Sequence, residues 1–229
     1  MRAACMLGLW VSLAVFSAAA IAAPQSAPQT QIVDAIVVRI EGDIITLSEL
    51  RELAAYQQLL DGRSQSNDEL RSELIEQWVV NNEAAMARFP LPAEAEVDRE
   101  AGRVENTFPD LAGYQQRLNA VGLTPEAVRR MIARQIYLAR YLDYKFRSAI
   151  QVSDAAIDSY YRERLVPGLQ SKGQQAPPLT DVTDQIRELL IEQGVTERTA
   201  AWFDETKPRL KIELEPIDVL SISAPGNKP

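Results

Sequence analysis

Residues Ile32 to Leu60 read IVDAIVVRIEGDIITLSELRELAAYQQLL. Two short β-branched runs, Ala35–Ile40 and Asp43–Thr46, flank the dipeptide Glu41-Gly42. A two-residue connection with glycine at a turn position predicts a tight hairpin, because glycine accepts positive φ without a Cβ clash. The second run leads straight into a helical pattern from Leu47 to about Leu60, with Leu50, Leu53, Ala54 and Tyr56 on one face. Thr46 and Glu49 have capping-box spacing: the hydroxyl can accept from an early helix N–H while the carboxylate reaches back to the cap. Two short strands cannot bury themselves. The covering partner is expected at the far end, where Arg209–Leu214 (RLKIEL) alternates apolar and charged residues with period two. The expected fold is therefore mainly α, a helical body closed by a small β-sheet in which the N-terminal hairpin meets the C-terminal strand.

A chain of 229 residues makes one large domain or two small ones. The net charge of −8 and the absence of a basic patch argue against nucleic acid as a partner. Arg2 is the only charge before Asp34, and Ala3 to Phe16 is almost wholly apolar, too short to span a bilayer comfortably. Small residues at A-x-A spacing follow, Ala18-Ala19-Ala20 or Ala20-Ile21-Ala22. Residues 1–23 are thus expected to be a secretory signal peptide cut between Ala20 and Ala23, with a transmembrane anchor as the alternative. Cys5 comes too early in the apolar run to be a lipidated cysteine.

Removing residues 1–23 takes away Arg2 and the single cysteine, leaving a net charge of −9 and neither Cys nor His. Such a chain has no disulfide, no Cys/His zinc site and no Ser–His or Cys–His nucleophile pair. Catalysis would need carboxylates, Lys, Tyr or Ser alone. The carboxylate pairs Glu94 and Glu96, or Asp98 and Glu100, point to different faces of a helix and read as solvated surface. No G-x-S-x-G, phosphate-binding loop or EF-hand loop is present. No catalytic, cofactor-binding or metal-binding residue is expected.

Along the chain, residues 24–31 (PQSAPQTQ) read as a flexible lead-in. After the first helix, Asp61-Gly62 is a stop. Ser66 and Glu69 repeat the capping-box spacing and open a second helix carrying Leu70, Leu74, Trp78 or Ile75, Val79 and Ala85. Phe89-Pro90-Leu91-Pro92 should end it. A third, highly charged helix from about Ala93 to Asn106 has only Val97, Ala101 and Val104 as an apolar stripe, so it either packs by that stripe or projects. Asp110 caps a short fourth helix to about Val121. Thr124-Pro125-Glu126 is a strong start for a fifth, reaching towards Ala149. Val128, Met131, Ile132, Ile136, Ala139, Leu142 and Phe146 form its expected stripe. Tyr137, Tyr141 and Tyr144 lie beside that stripe, as a half-buried flank or as an aromatic surface for apolar ligands. Arg129, Arg130, Arg134 and Arg140 make a basic strip expected to meet the acidic third helix or water. A sixth helix opens at Ser153-Asp154 and should stop at Pro167-Gly168, with Leu169 to Pro178 as a polar loop. The last helix runs from near Thr180 to Pro208, and Gly194 costs it about 1 kcal/mol relative to Ala, so a bend is expected there. Residues 215–229 read as a loose tail.

Three stretches in this order resemble the SurA-like family of periplasmic chaperones and foldases. They are IVDAIVVRIEGDIITLSELRE at the start, LTPEAVRRMIARQIYLARYL followed by IQVSDAAIDSYYRERL in the middle, and PPLTDVTDQIRELLIEQGVTERTAAWFDETKPRLKIEL at the end. The resemblance covers residues 32–214, nearly all of the chain after the signal. No single motif is very specific; the order of all three carries the likeness. Many family members hold a parvulin-type prolyl isomerase domain between the Tyr-Tyr helix and the closing helix. Here that interval, Val166 to Pro178, is thirteen residues, too short for such a fold, and the histidines typical of parvulin sites are missing. The resemblance implies a periplasmic, ATP-independent chaperone body without isomerase activity and without stable membrane insertion after signal cleavage. Its partners would be unfolded or nascent envelope and outer-membrane proteins. Phe108, Leu111, Tyr114, Met131, Tyr137 and Tyr141 are the candidate client contacts on a concave apolar surface between helices. The competing expectation is a non-enzymatic adaptor that binds one dedicated envelope partner through the charged third helix or the tail.

Overall fold

The hairpin forms as its turn chemistry requires. In the computed structural model, which describes residues 34–63 and 65–217, strands β1 (Ile36–Ile40) and β2 (Asp43–Thr46) pair antiparallel. Glu41 and Gly42 both take positive φ, 50° and 100°, as a two-residue turn matched to strand twist demands. A bulge between Ile36 and Val38 breaks the strand's alternation, so the neighbours Val37 and Val38 are both fully buried. Strand β3 (Ile212–Leu214) pairs antiparallel with the other edge of β1, giving the order β2-β1-β3. The two ends of the described chain thus meet in one sheet, as expected. The pairing is shorter than Arg209–Leu214, because Lys207–Arg209 forms a 3₁₀ turn first. Glu41 locks the junction: its N–H donates to the Lys211 carbonyl (3.1 Å) and its Oε1 accepts from the Lys211 N–H (2.6 Å).

Among the described residues eight α-helices fill the interval: α1 (Leu47–Asp61), α2 (Asn67–Met86), α3 (Glu94–Glu105), α4 (Leu111–Val121), α5 (Pro125–Phe146), α6 (Asp154–Tyr160), α7 (Val166–Gln170) and α8 (Leu179–Thr206). The protein is mainly helical with one small antiparallel sheet. Both capping boxes, Thr46 with Glu49 and Ser66 with Glu69, are complete, and Thr124, Asp110 and Ser153 cap their helices as read. Helix α2 stops before its prolines. Arg88 turns left-handed (φ 51°), the Phe89 N–H reaches back to the Ala84 carbonyl (2.9 Å), and the Arg88 N–H to that of Ala85 (3.0 Å). Ala84, not Ala85, faces inward.

The sixth helix runs past its expected stop. Tyr161–Leu165 is a π-helical turn that continues into α7, and Pro167 sits within the first two residues of that helix. Pro167 has no N–H to donate, and it falls at the junction where the π-helical turn gives way to α7. The loop expected from Leu169 therefore begins only after Gln170. Gly194 does not interrupt α8, which is continuous over 28 residues. The reason for glycine there is packing: a Cβ at 194 would lie 2.8 Å from Ile150 Cγ2.

One core joins the sheet to α1, α2, α3, α4 and α5, with Ile40, Leu53, Leu70, Ile132 and Val128 fully buried at its centre. A second joins α2, α5 and α8 through Val80, Ala84, Tyr137, Leu138 and Tyr141, with Phe89, Leu142, Trp202 and Phe203 against it. Helix α3 packs on α5 by Val97, Ala101 and Val104 rather than projecting. The basic strip of α5 is held from both sides: Arg129 pairs with Asp98, Arg140 with Glu96 (3.1 Å), and Arg130 with Glu52 of α1 (2.7 Å). The tail stays attached beyond Leu214. The Glu215 N–H donates to the Val37 carbonyl (3.1 Å), its side chain pairs with Arg39 (2.8 Å), and Ile217 packs on the core. No helix among the described residues is long and apolar enough to cross a membrane. The expected signal peptide, the lead-in segment and residues 218–229 lie outside the described residues.

Candidate functional site

Helix α5 divides the six candidate client contacts. Four of them, Tyr114, Met131, Tyr137 and Tyr141, are buried. The last two correct the reading of a half-buried flank. Beyond Ile132 the buried side of α5 continues through Tyr137, Leu138 and Tyr141, while Ala139 faces out and Ile136 is only half-buried. The cause is a neighbour: Phe89, delivered by the left-handed turn after α2, lies 5.8 Å from Tyr137 and 5.4 Å from Tyr141, ring to ring. Tyr144 also packs against Phe89 (5.4 Å) yet is 69 % exposed. With Met86 (79 %) and Leu91 (77 %) it leaves apolar surface at the end of α2. Phe108 is half-buried against Tyr114 (5.3 Å), and Leu111 is exposed. The six residues do not assemble into one surface: Phe108, Tyr114 and Met131 belong to the first core and Tyr137 and Tyr141 to the second.

The described residues form more than one concave surface: a shallow one of about 390 Å³ is lined by Leu91, Pro92, Val97, Ala133 and Tyr137, and a larger one lies between α1, α2 and α5. It is an open cleft of about 520 Å³, in the size range of ligand sites. Leu53, Tyr56 and Leu60 of α1 and Met131, Leu138 and Leu142 of α5 give its apolar lining. Of the six predicted contacts, Tyr137 is part of the shallower surface and Met131 of the larger cleft.

Its polar lining is built round Glu73 of α2. Gln57 Nε2 donates to Glu73 Oε2 (2.7 Å), and Gln77 Nε2 donates to Glu73 Oε1 (3.3 Å). A carboxylate accepts only from the NH₂ end of an amide, so Glu73 fixes the orientation of both glutamines. Their oxygens, Gln57 Oε1 and Gln77 Oε1, are buried with no hydrogen-bond partner. The Tyr56 hydroxyl donates to Gln135 Oε1 (3.1 Å). Burial pushes that phenol up to about 12, with the nearby Glu100 carboxylate adding to the shift. Asp61 and Arg63 pair with each other at one end. Arg134 stands at the wall without an ion-pair partner among the described residues.

Glu73, Gln57 and Gln77 are absent from the sequence-based expectations. A signal was present for one: Gln57 lies seven residues after Leu50 and four after Leu53, on the apolar face of α1, where a polar residue needs a reason. Among the described residues no three Asp, Glu, His or Cys side chains gather as metal ligands. The cleft can seat an apolar side chain and donate hydrogen bonds from the Arg134 guanidinium. No family model matches this chain, and no curated protein matches it.

Proposed function

We propose that this protein is an ATP-independent periplasmic chaperone that binds unfolded or partly folded envelope proteins, outer-membrane barrel precursors among them, and has no prolyl isomerase activity. The observation that carries the reading is the open cleft between α1, α2 and α5, with its apolar lining from Leu53, Tyr56, Leu60, Met131, Leu138 and Leu142. A folded partner has buried most of its large apolar side chains, whereas an unfolded chain presents them to a cleft of this kind. The resemblance to SurA-like chaperones and the apolar surface at Met86, Leu91 and Tyr144 support the same reading. The interval where relatives of that kind carry an isomerase holds α7 and a short loop. Binding to the unfolded state lowers the free concentration of aggregation-prone segments by mass action, without a nucleotide.

The test is light scattering from a denatured outer-membrane barrel protein diluted into buffer with increasing amounts of the chain from Pro24 to Pro229. Suppression that saturates near stoichiometric ratio is expected. Unchanged aggregation at every dose overturns the reading and favours an adaptor with one dedicated partner.

A further inference from the structure

Helix α5 forms a ridge between the two concave surfaces. At about 3.6 residues per turn, Met131, Leu138 and Leu142 fall on one side of Arg134, and Ala133 and Tyr137 on the other. The first three line the α1/α2/α5 cleft, the other two line the shallow surface with Leu91 and Val97, and Arg134 lines both. It is exposed on the crest. Its neighbours on the helix are engaged: Arg129 pairs with Asp98, Arg130 with Glu52 (2.7 Å) and Arg140 with Glu96 (3.1 Å), whereas Arg134 has no ion-pair partner among the described residues. The carboxylates that line the two surfaces are occupied or held elsewhere. Asp61 pairs with Arg63, Glu73 accepts from Gln57 and Gln77, and Glu94 sits exposed in the first turn of α3, where the helix N-terminus favours its charge. Arg129, Arg130 and Arg134 against Glu94 make the shallow lining cationic in a chain of net charge −8.

A free guanidinium between two apolar linings is complementary to a carboxylate with an apolar group on either side. An extended peptide supplies this when an acid is bracketed by apolar residues two positions away. Side chains at i−2, i and i+2 share one face, and the outer two stand about 13 Å apart, comparable with the roughly 10–12 Å breadth of a helix. An anionic membrane surface fits less well, since it would meet the field of the whole acidic molecule rather than one local cation. Resting on the chaperone reading, we infer that Arg134 selects among clients: it pairs with an Asp or Glu of an extended segment whose apolar side chains at i−2 and i+2 enter the two surfaces on either side of α5.

The test uses three fluorescein-labelled, amidated peptides. One is Ser-Leu-Thr-Asp-Thr-Tyr-Ser, the second carries Asn in place of Asp, and the third moves the acid outside the apolar pair, Asp-Leu-Thr-Ser-Thr-Tyr-Ser. Binding to the purified protein is measured by fluorescence anisotropy at low salt, and client aggregation is measured on the same preparation. The bracketed Asp peptide is expected to bind about fivefold more tightly than the other two, the scale of one partly exposed ion pair. The difference should close in about 0.5 M NaCl, where such a pair is screened. In Arg134→Gln, which removes the charge and keeps helix propensity, the three peptides should bind equally. The comparison in the unsubstituted protein stands even where that variant fails to fold. Equal binding of the Asp and Asn peptides by the unsubstituted protein, equal binding of the peptide with its acid moved, no binding of any peptide, or a preference that survives in folded Arg134→Gln overturns the inference. If client aggregation is still suppressed in those cases, the chaperone reading stands and only acid selection falls; if suppression is absent as well, both fall. An Asp preference without suppression keeps the site and moves the protein to the adaptor reading.

Discussion

Substituting Gly194 by alanine sets two effects of opposite sign against each other at one position. Helix propensity favours alanine over glycine by about 1 kcal/mol in a helix interior, and Gly194 is interior to α8. The added Cβ, however, would lie 2.8 Å from Ile150 Cγ2, 3.1 Å from its Cδ1 and 3.3 Å from its Cγ1. The nearest of these atoms is bonded to the Ile150 Cβ, so it cannot swing clear as the end of a long side chain would. Only a change of χ1 or a backbone shift removes the contact, and overpacking of this kind costs about 1–3 kcal/mol. The clash wins by about 1 kcal/mol, and Gly194→Ala should be less stable than the natural protein. Urea unfolding followed by far-UV circular dichroism measures this as a lower midpoint at unchanged slope. The sign should reverse once the obstacle is removed. In an Ile150→Ala background, Gly194→Ala should raise stability by about 1 kcal/mol, because only the propensity remains. A gain in stability from Gly194→Ala with Ile150 intact refutes the packing argument.

Three further outcomes follow from local geometry. Arg88, exposed and left-handed at φ 51°, should tolerate glycine with a gain of about 1 kcal/mol in urea unfolding, since glycine takes this conformation without a Cβ penalty. Thr46→Ala removes the hydroxyl that caps α1 and leaves the Glu49 N–H without that acceptor (3.3 Å), which should cost about 1 kcal/mol by the same assay. Burial raises the Tyr56 phenol from 10.0 to about 12, so its contribution is fully present below the unfolded value. As pH rises through that window the unfolded chain ionises while the folded one holds its proton, and stability falls; thermal unfolding of Tyr56→Phe should show a shallower alkaline loss than the natural protein. Burial of Tyr114 and Tyr141 shifts them in the same direction, so the variant reduces the loss without abolishing it.

The local chemistry of the chain was legible before its packing. The Glu41-Gly42 turn, both capping boxes, the Thr124-Pro125 start and the meeting of Arg209–Leu214 with the hairpin all follow from short-range rules, and all form. The misreadings share one cause, which is that another segment decides the outcome. Tyr137 and Tyr141 are buried because Phe89 folds back onto them, which the helical period of α5 alone does not encode. Gly194 reads as a weak point and is instead a close approach to Ile150. Pro167 reads as a stop and is instead carried in the first turn of α7 after a π-helical turn. The site suffered most, since the aromatic residues that suggest a sticky surface in sequence are the ones the fold takes into its cores. The cleft is lined by glutamines, whose significance depends on Glu73 lying across from them.

If clients occupy the α1/α2/α5 cleft, a bulky side chain that fills it should displace them. Ala139 is exposed on α5 and lines the cleft, so Ala139→Trp places an indole there without entering a core. A surface substitution of this kind should change stability by no more than about 0.5 kcal/mol. The Ala139→Trp variant should fold normally and lose most of its suppression of client aggregation. Full suppression by a normally folded Ala139→Trp would contradict that occupancy and would move client binding away from the cleft.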